Sequence, residues 1–244
     1  MYSLDQILIM LLDKRGVVPS KLDSDWMKEG NLVISADDSN SDGSISFDRS
    51  KFIDDPTFER WMGSSTLQNG DIILTSEGGS FSRVSRIRVD SVEKIALGQR
   101  LFALRTNPEL CDQSFLYHWL RSHEGQYAIK SRGTGLIEGI RQAELKKILI
   151  KIPTNGVDQK IGHNLDMFDE LLHVLRRRGE TIEAIISSLF RSWFIDFDPV
   201  KAKAEGKLPH GMDKETAALF PNSFEDSELG SIPSGWRIRY LEDL

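Results

Sequence analysis

Apolar positions in this chain fall into three successive textures. Leu4, Ile7, Leu8, Leu11 and Leu12 keep the i, i+3, i+4, i+7, i+8 spacing of an amphipathic helix, which "DKRG" ends at Gly16. From about residue 30 to 105 the texture changes to short runs, "NLVIS", "DIILTS", "RVSRIRV" and "RLFALR". Turn-rich segments such as "DDSNSDGS" and "QNGD" separate them, so they read as strands. Asp112 is placed to cap a helix through "QSFLYHWLRSHEG", with Phe115, Leu116, Trp119 and Leu120 on its buried side. "RQAELKK" predicts another helical turn or two, and in "ILIKIP" the residues Ile148, Ile150 and Ile152 alternate as in a strand. Residues 1–156 therefore predict a mixed α+β globular domain of ordinary size.

The third texture is the clearest. Val157, Ile161, Leu165, Phe168, Leu172, Leu175, Gly179, Ile182, Ile186, Leu189 and Trp193 follow one another by steps of three or four. That is a heptad seam, and it predicts a long coiled-coil helix over 157–194, about 57 Å at 1.5 Å per residue. The dimer seam expected from it comprises Leu165, Phe168, Leu172, Leu175, Gly179, Ile182, Ile186, Leu189 and Trp193. A second such repeat is absent from the chain, so the expected mate is another copy or an external partner; the alternative is that this face covers its own domain. Gly179 reads either as a break or as a point of close backbone approach, and the heptad phase runs unbroken across it. Residues 195–228 predict a structured tail and connector, since Ile195 and Phe197 would not both be left in water. Residues 229–244, "LGSIPSGWRIRYLEDL", have the turn, aromatic anchor and apolar pattern that usually open a domain.

Composition narrows the function. The sole cysteine, Cys111, excludes an internal disulfide framework and suits a reducing cytoplasm. The apolar run at the N-terminus has no basic leader, and no run approaches the ~20 residues that cross a bilayer, so no membrane partner is expected. A net charge of −6 argues against a protein that coats nucleic acid indiscriminately, yet the stretch from Arg83 to Lys151 is basic. "EGGSFS" lacks both the lysine of a P-loop and the spacing of a Rossmann turn. The five histidines form no metal-ligand spacing, and Cys111 has no evident partner base. With every catalytic constellation missing, a binding protein without metal or cofactor of its own is expected, rather than an enzyme.

Two segments are candidates for binding DNA. In "SFSRVSRIRV", Ser82, Arg83, Arg86 and Arg88 supply donors, and strand geometry puts Arg86 and Arg88 on one face. In "KSRGTGLIEGIRQAEL", Lys130, Ser131, Arg132, Thr134 and Arg141 surround a loop rich in glycine and hydroxyls. Hydroxyls and backbone N–H groups contact phosphates, and a planar arginine reads a guanine edge. The alternative is that these are solvated charges of loops and strands.

The segments "TLQNGDIILTSEGG", "SRGTGLIEGIRQAELKKILIKIP", the helix running into "RSWFIDFDPVKAKAEG", and "LGSIPSGW" together resemble the specificity subunit of Type I restriction–modification systems. The resemblance covers nearly the whole chain. It implies a target-recognition domain followed by a spacer helix, with catalysis and S-adenosylmethionine on partner modification (methyltransferase) subunits and restriction subunits joining through the complex. Full subunits of that family carry two recognition domains and two helices; this sequence holds one of each. "LEDL" at 241–244 resembles "LDQI" at 4–7, which reads as the start of a second repeat. Two copies paired seam to seam would then read two identical half-sites of an interrupted palindrome. The alternative is a truncated or silent fragment that only docks on methyltransferase subunits.

Overall fold

The computed structural model describes residues 1–47, 50–89, 94–134 and 138–239. Contacts divide the chain into two units, residues 1–169 and 170–244. The division falls inside the long helix instead of at 156/157, because the first turns of that helix are packed onto the globular part.

In the first unit the strands are β1 (Tyr2–Ser3), β2 (Leu8–Asp13), β3 (Asn31–Ile34), β4 (Lys51–Ile53), β5 (Ile72–Thr75), β6 (Val84–Arg86), β7 (Ile95–Leu97), β8 (Leu101–Thr106) and β9 (Leu149–Ile150). The helices are α1 (Leu4–Ile7), α2 (Asp55–Met62), α3 (Gln113–Arg121), α4 (His123–Lys130) and α5 (Gln142–Lys146). A four-stranded antiparallel sheet, order β2-β8-β5-β6, is the middle layer. Its two faces feed two cores. Ile72, Leu74, Phe102 and Leu104 turn toward α3, α4 and α5, where they meet Leu116, Leu120, Ile129 and Leu145. Ile73, Leu101 and Ala103 turn the other way, toward Val33, Ile34, Trp61 and Leu97 of α2 and a three-stranded sheet, order β4-β3-β7. Strand β3 is antiparallel to β4 and parallel to β7. With both faces covered, "IILT" is buried at every position, and each such aliphatic side chain contributes about 1.5–3 kcal/mol by leaving water.

The N-terminal helix expected from the Leu4–Leu12 spacing is a single turn. After Ile7 the chain becomes strand β2, paired with β8. The reason is a bulge: the register shifts between Leu8 and Met10, leaving Ile9 exposed. Leu8 and Leu11 thereby share one core, while Met10 and Leu12 face the other. An extra residue in a strand shifts the two-residue period, so odd-numbered spacings share a face and imitate a helix. The helix after Asp112 also differs from expectation, for it is two helices. Asp112 Oδ1 accepts from the Phe115 amide as the cap of α3, and Ser122 caps α4. Trp119 packs half-buried on the core as expected, and Tyr117 is buried there as well.

The second unit begins within α6 (Val157–Phe190), a continuous helix of 34 residues, about 51 Å long, that passes Gly179 without a break. A five-residue π-helical turn, Arg191–Ile195, ends it. Then come α7 (Asp198–Ala204), α8 (Lys214–Ala218) and a hairpin of β10 (Phe224–Ser227) with β11 (Gly230–Pro233). Val200, Met212, Ala217 and Phe220 form a small core there, with Trp193, Phe197 and Phe224 packed on it. Trp193 stands 5.9 Å from Phe220. It therefore leaves the predicted seam and belongs to the tail. The hairpin places "GSIP" in the tail as well, and Trp236 packs on Phe194 and Phe197. The "LEDL" similarity at 241–244 lies outside the described residues.

Candidate nucleic-acid interface

The turn that joins β5 to β6 builds one wall of an open polar cleft. Ser82 occupies a left-handed conformation (φ 66°), and its amide donates to Thr75 O. The Ser82 hydroxyl donates to Gln126 Oε1 (2.8 Å), while Gln126 Nε2 donates to Ser82 O and Leu120 O (both 2.9 Å). Strand turn and helix α4 are thus tied by one amide side chain whose donors and acceptor are all engaged. The cleft between them has a volume of about 390 Å³. Arg83, Arg121 and Lys130 bring positive charge to its lining, with Ser80, Phe81 and Ser82 between them. Arg83 Nη1 donates to Ser39 O (2.6 Å), which fixes the direction of its guanidinium.

Of the residues predicted for DNA contact, Ser82, Arg83 and Lys130 meet in this cleft. Ser131 and Arg132 directly follow the last turn of α4, with Ser131 exposed and Arg132 Nη1 donating to Ala128 O. The Thr134 amide donates to Gly139 O (2.9 Å), and Gly139 bridges to Glu77 beside the β5–β6 turn. Arg141 is exposed and starts α5. Residues 135–137 of that loop lie outside the described residues.

Arg86 does not fit the free DNA-contacting role expected of it. It is 6% exposed, its guanidinium packs 4.4 Å from the Tyr117 ring, and both Nη atoms donate to Asp166 of α6 at 2.6 and 3.0 Å. Arg88 does share its face, 3.9 Å from the same carboxylate, and keeps 43% side-chain exposure. Asp166 also accepts from Ser114 Oγ (2.6 Å) and bonds His118 Nε2 (2.8 Å). Burial alone would raise this carboxyl, but the bonds from Arg86, Ser114 and His118 outweigh burial and hold it at about 2. Burial pushes His118 down, against the Asp166 bond that favours its charged form.

The same face of α6 carries three more contacts. Asp158 Oδ2 accepts from the Asp112 amide (3.0 Å) at the start of α3. Gly162 lies so close to Asp112 and Phe115 that an added Cβ would stand 2.4 Å from Asp112 Oδ1. Asp169 accepts from Arg121 Nη1 (3.1 Å), and the same guanidinium bonds the Tyr117 hydroxyl and Asp42 O. Sequence reasoning missed this face. Its signal was the run Asp158, Gly162, Asp166, Asp169, spaced 4, 4 and 3 along the helix. Much of the basic middle is spent in such pairs, Arg105 with the buried Asp71 being another (2.7 Å).

Most of the predicted seam is open to solvent. Leu165, Phe168, Leu172, Leu175, Ile182, Ile186 and Leu189 are 38–64% exposed, and Met167, Leu171, Ile185 and Phe190 join them. Among the described residues no group of histidine, cysteine and acidic side chains is placed to hold a metal, and no helix is long and apolar enough to cross a membrane.

Residues 8–184 match the family model described as the Type I restriction modification DNA specificity domain. The chain belongs to this family. Among specificity subunits it is 28% identical, over 207 residues, to that of the Type I restriction enzyme MjaIX of Methanocaldococcus jannaschii, covering 75% of this chain and 44% of the relative. It is 27% identical over 161 residues to the HindI specificity subunit of Haemophilus influenzae, covering 65% of this chain and 35% of the relative. The fold matches the crystal structure of a Type I restriction–modification S subunit from M. genitalium at a TM-score of 0.54 and 20% identity, over 83% of this chain and 47% of that one. The HsdS subunit from Thermoanaerobacter tengcongensis matches at 0.50 and 16%, over 86% and 50%. This specificity-family chain thus spans about half the length, or less, of the relatives it matches.

Proposed function

We propose that this chain is a non-catalytic, sequence-recognising component of a Type I restriction–modification assembly, and that each copy reads one half-site of a bipartite DNA target. The observation that carries the reading is the cleft lined by Arg83, Arg121 and Lys130, on a domain of the specificity family. Its size and charge suit a phosphate backbone running past loops that reach base edges. In this reading Ser131, Arg132, Thr134, Arg141 and Arg88 are further DNA contacts outside the cleft lining. The net charge of −6 fits a protein that reads bases while partners supply much of the phosphate neutralisation. Catalysis and S-adenosylmethionine then reside on modification subunits docked to this chain, with restriction subunits joining through them, in the cytoplasm.

The exposed apolar face of α6 supports pairing with a second copy as a coiled coil. Two identical recognition domains related by a two-fold axis would read an interrupted palindrome. The same exposed face favours one other reading, a docking module that binds methyltransferase subunits without reading DNA.

The test is the adenine methylation pattern of plasmid DNA from cells carrying this chain and its modification subunit. A methylated interrupted palindrome is expected. An assembled complex with no methylated motif overturns DNA reading in favour of docking alone, and a motif with two unlike halves overturns self-pairing.

A further inference from the structure

The first turns of α6 are attached to the recognition domain mainly by directed polar bonds. Of the helix's apolar side chains, Ile161 packs on the domain core, whereas Asp158, Asp166 and Asp169 each meet a defined donor. These carboxylates span residues 158–169, about 17 Å of helix. Apolar packing tolerates sliding, but a bidentate Arg–carboxylate pair has one productive geometry. One such pair, Arg86 with Asp166, together with the single bonds at Asp158 and Asp169 and the close approach at Gly162, sets both the height and the rotation of these first turns on the domain.

One of the anchors reaches the cleft directly, and a second is linked to it through the β6 segment. Arg121 lines the cleft and binds Asp169 with the same guanidinium. Arg83 and Arg86 lie on one extended segment, three residues apart, the first facing the cleft and the second holding Asp166. We infer that Asp166 and Asp169 are positioning residues that lock the cleft onto α6 and thereby fix the spacing between the two half-sites of the target. This rests on the proposed reading of DNA by paired copies. A DNA step is about 3.4 Å, so play of about half that at each anchor, doubled by two-fold symmetry, admits a neighbouring spacer length.

The experiment sequences methylated DNA from cells carrying the modification subunit with wild-type chain, Asp166→Asn or Asp169→Asn. Asp169→Asn leaves the buried Arg86 pair intact and covers the case in which Asp166→Asn does not fold. The half-site bases should stay unchanged, while methylation at spacers one base longer or shorter rises about tenfold or more relative to the wild-type spacer. A general loss of stability would lower methylation at all spacers alike. An unchanged single spacer in both variants, or a uniform fall in both, overturns the inference while leaving the functional reading standing. Absence of any bipartite motif with wild-type chain overturns that reading, and this inference with it.

Discussion

Replacing glycine by alanine at two places on α6 should move stability in opposite directions. An alanine inside a helix is worth about 1 kcal/mol over glycine when nothing else changes. At Gly179 a Cβ would meet nothing within 4 Å, so Gly179→Ala should raise stability by up to about that amount. At Gly162 the new methyl would stand 2.4 Å from Asp112 Oδ1, 2.7 Å from the Phe115 amide nitrogen and 3.0 Å from Ser114 Cβ. The first two are the acceptor and donor of the cap bond of α3, at 2.9 Å. The helix must withdraw by about 1 Å, at a cost of about 1–3 kcal/mol for overpacking. The displaced cap adds about 1 kcal/mol, which offsets the gain in propensity. Gly162→Ala should therefore lose about 1–3 kcal/mol overall. Urea unfolding at one fixed protein concentration compares both variants with wild type. A Gly162→Ala chain as stable as wild type would refute the close docking of α6 on α3.

The Asp166 carboxyl, held at about 2, lies below its ordinary value near 3.9, so its stabilisation is fully present above about pH 4 and is lost as pH falls toward 2. Urea midpoints between pH 5 and 2 should accordingly fall less steeply for Asp166→Asn than for wild type, and parallel curves would contradict the assignment. Cys111 is fully buried and its thiol is pushed up to about 12, first by burial and then by Asp158 and Asp112. An aromatic disulfide reagent should therefore release its chromophore only after denaturation; immediate reaction of the native chain would show that the site is open. Leu172→Asp with Leu175→Asp places two charges on the exposed apolar face of α6 and should abolish self-association in sedimentation, whereas an unchanged oligomer would move the interface elsewhere.

The sheets were legible where apolar runs were short and bounded by turns, as at "NLVIS", "DIILTS" and "RLFALR", all of which are strands. The long helix was legible from its period alone, because 3.5-residue spacing sustained over several turns has no strand equivalent. Leu4–Leu12 misled for a local reason, the bulge that makes a strand imitate helical spacing. The site was half legible. Strand alternation put Arg86 and Arg88 on one face correctly, but no local pattern tells what covers a face. Asp166, which covers this one, lies 80 residues further along the chain. Gln126, Arg121 and Phe81 of the cleft were missed for the same reason, as the groups that define their roles are distant in sequence.

Strand β1 closes on β9, with Tyr2 opposite Ile150 and Ser3 opposite Leu149. Because a ribosome delivers the chain from its N-terminus, this clasp cannot form until the whole recognition unit has emerged. At about 5–20 residues per second that is a wait of roughly 7–30 s. Leu4 and Ile7, both wholly buried in the finished protein, spend that interval without their partner Ile150. The core around Leu4 and Ile7 is thus completed only by residues made almost 150 positions later, so its closure waits on synthesis of the whole unit.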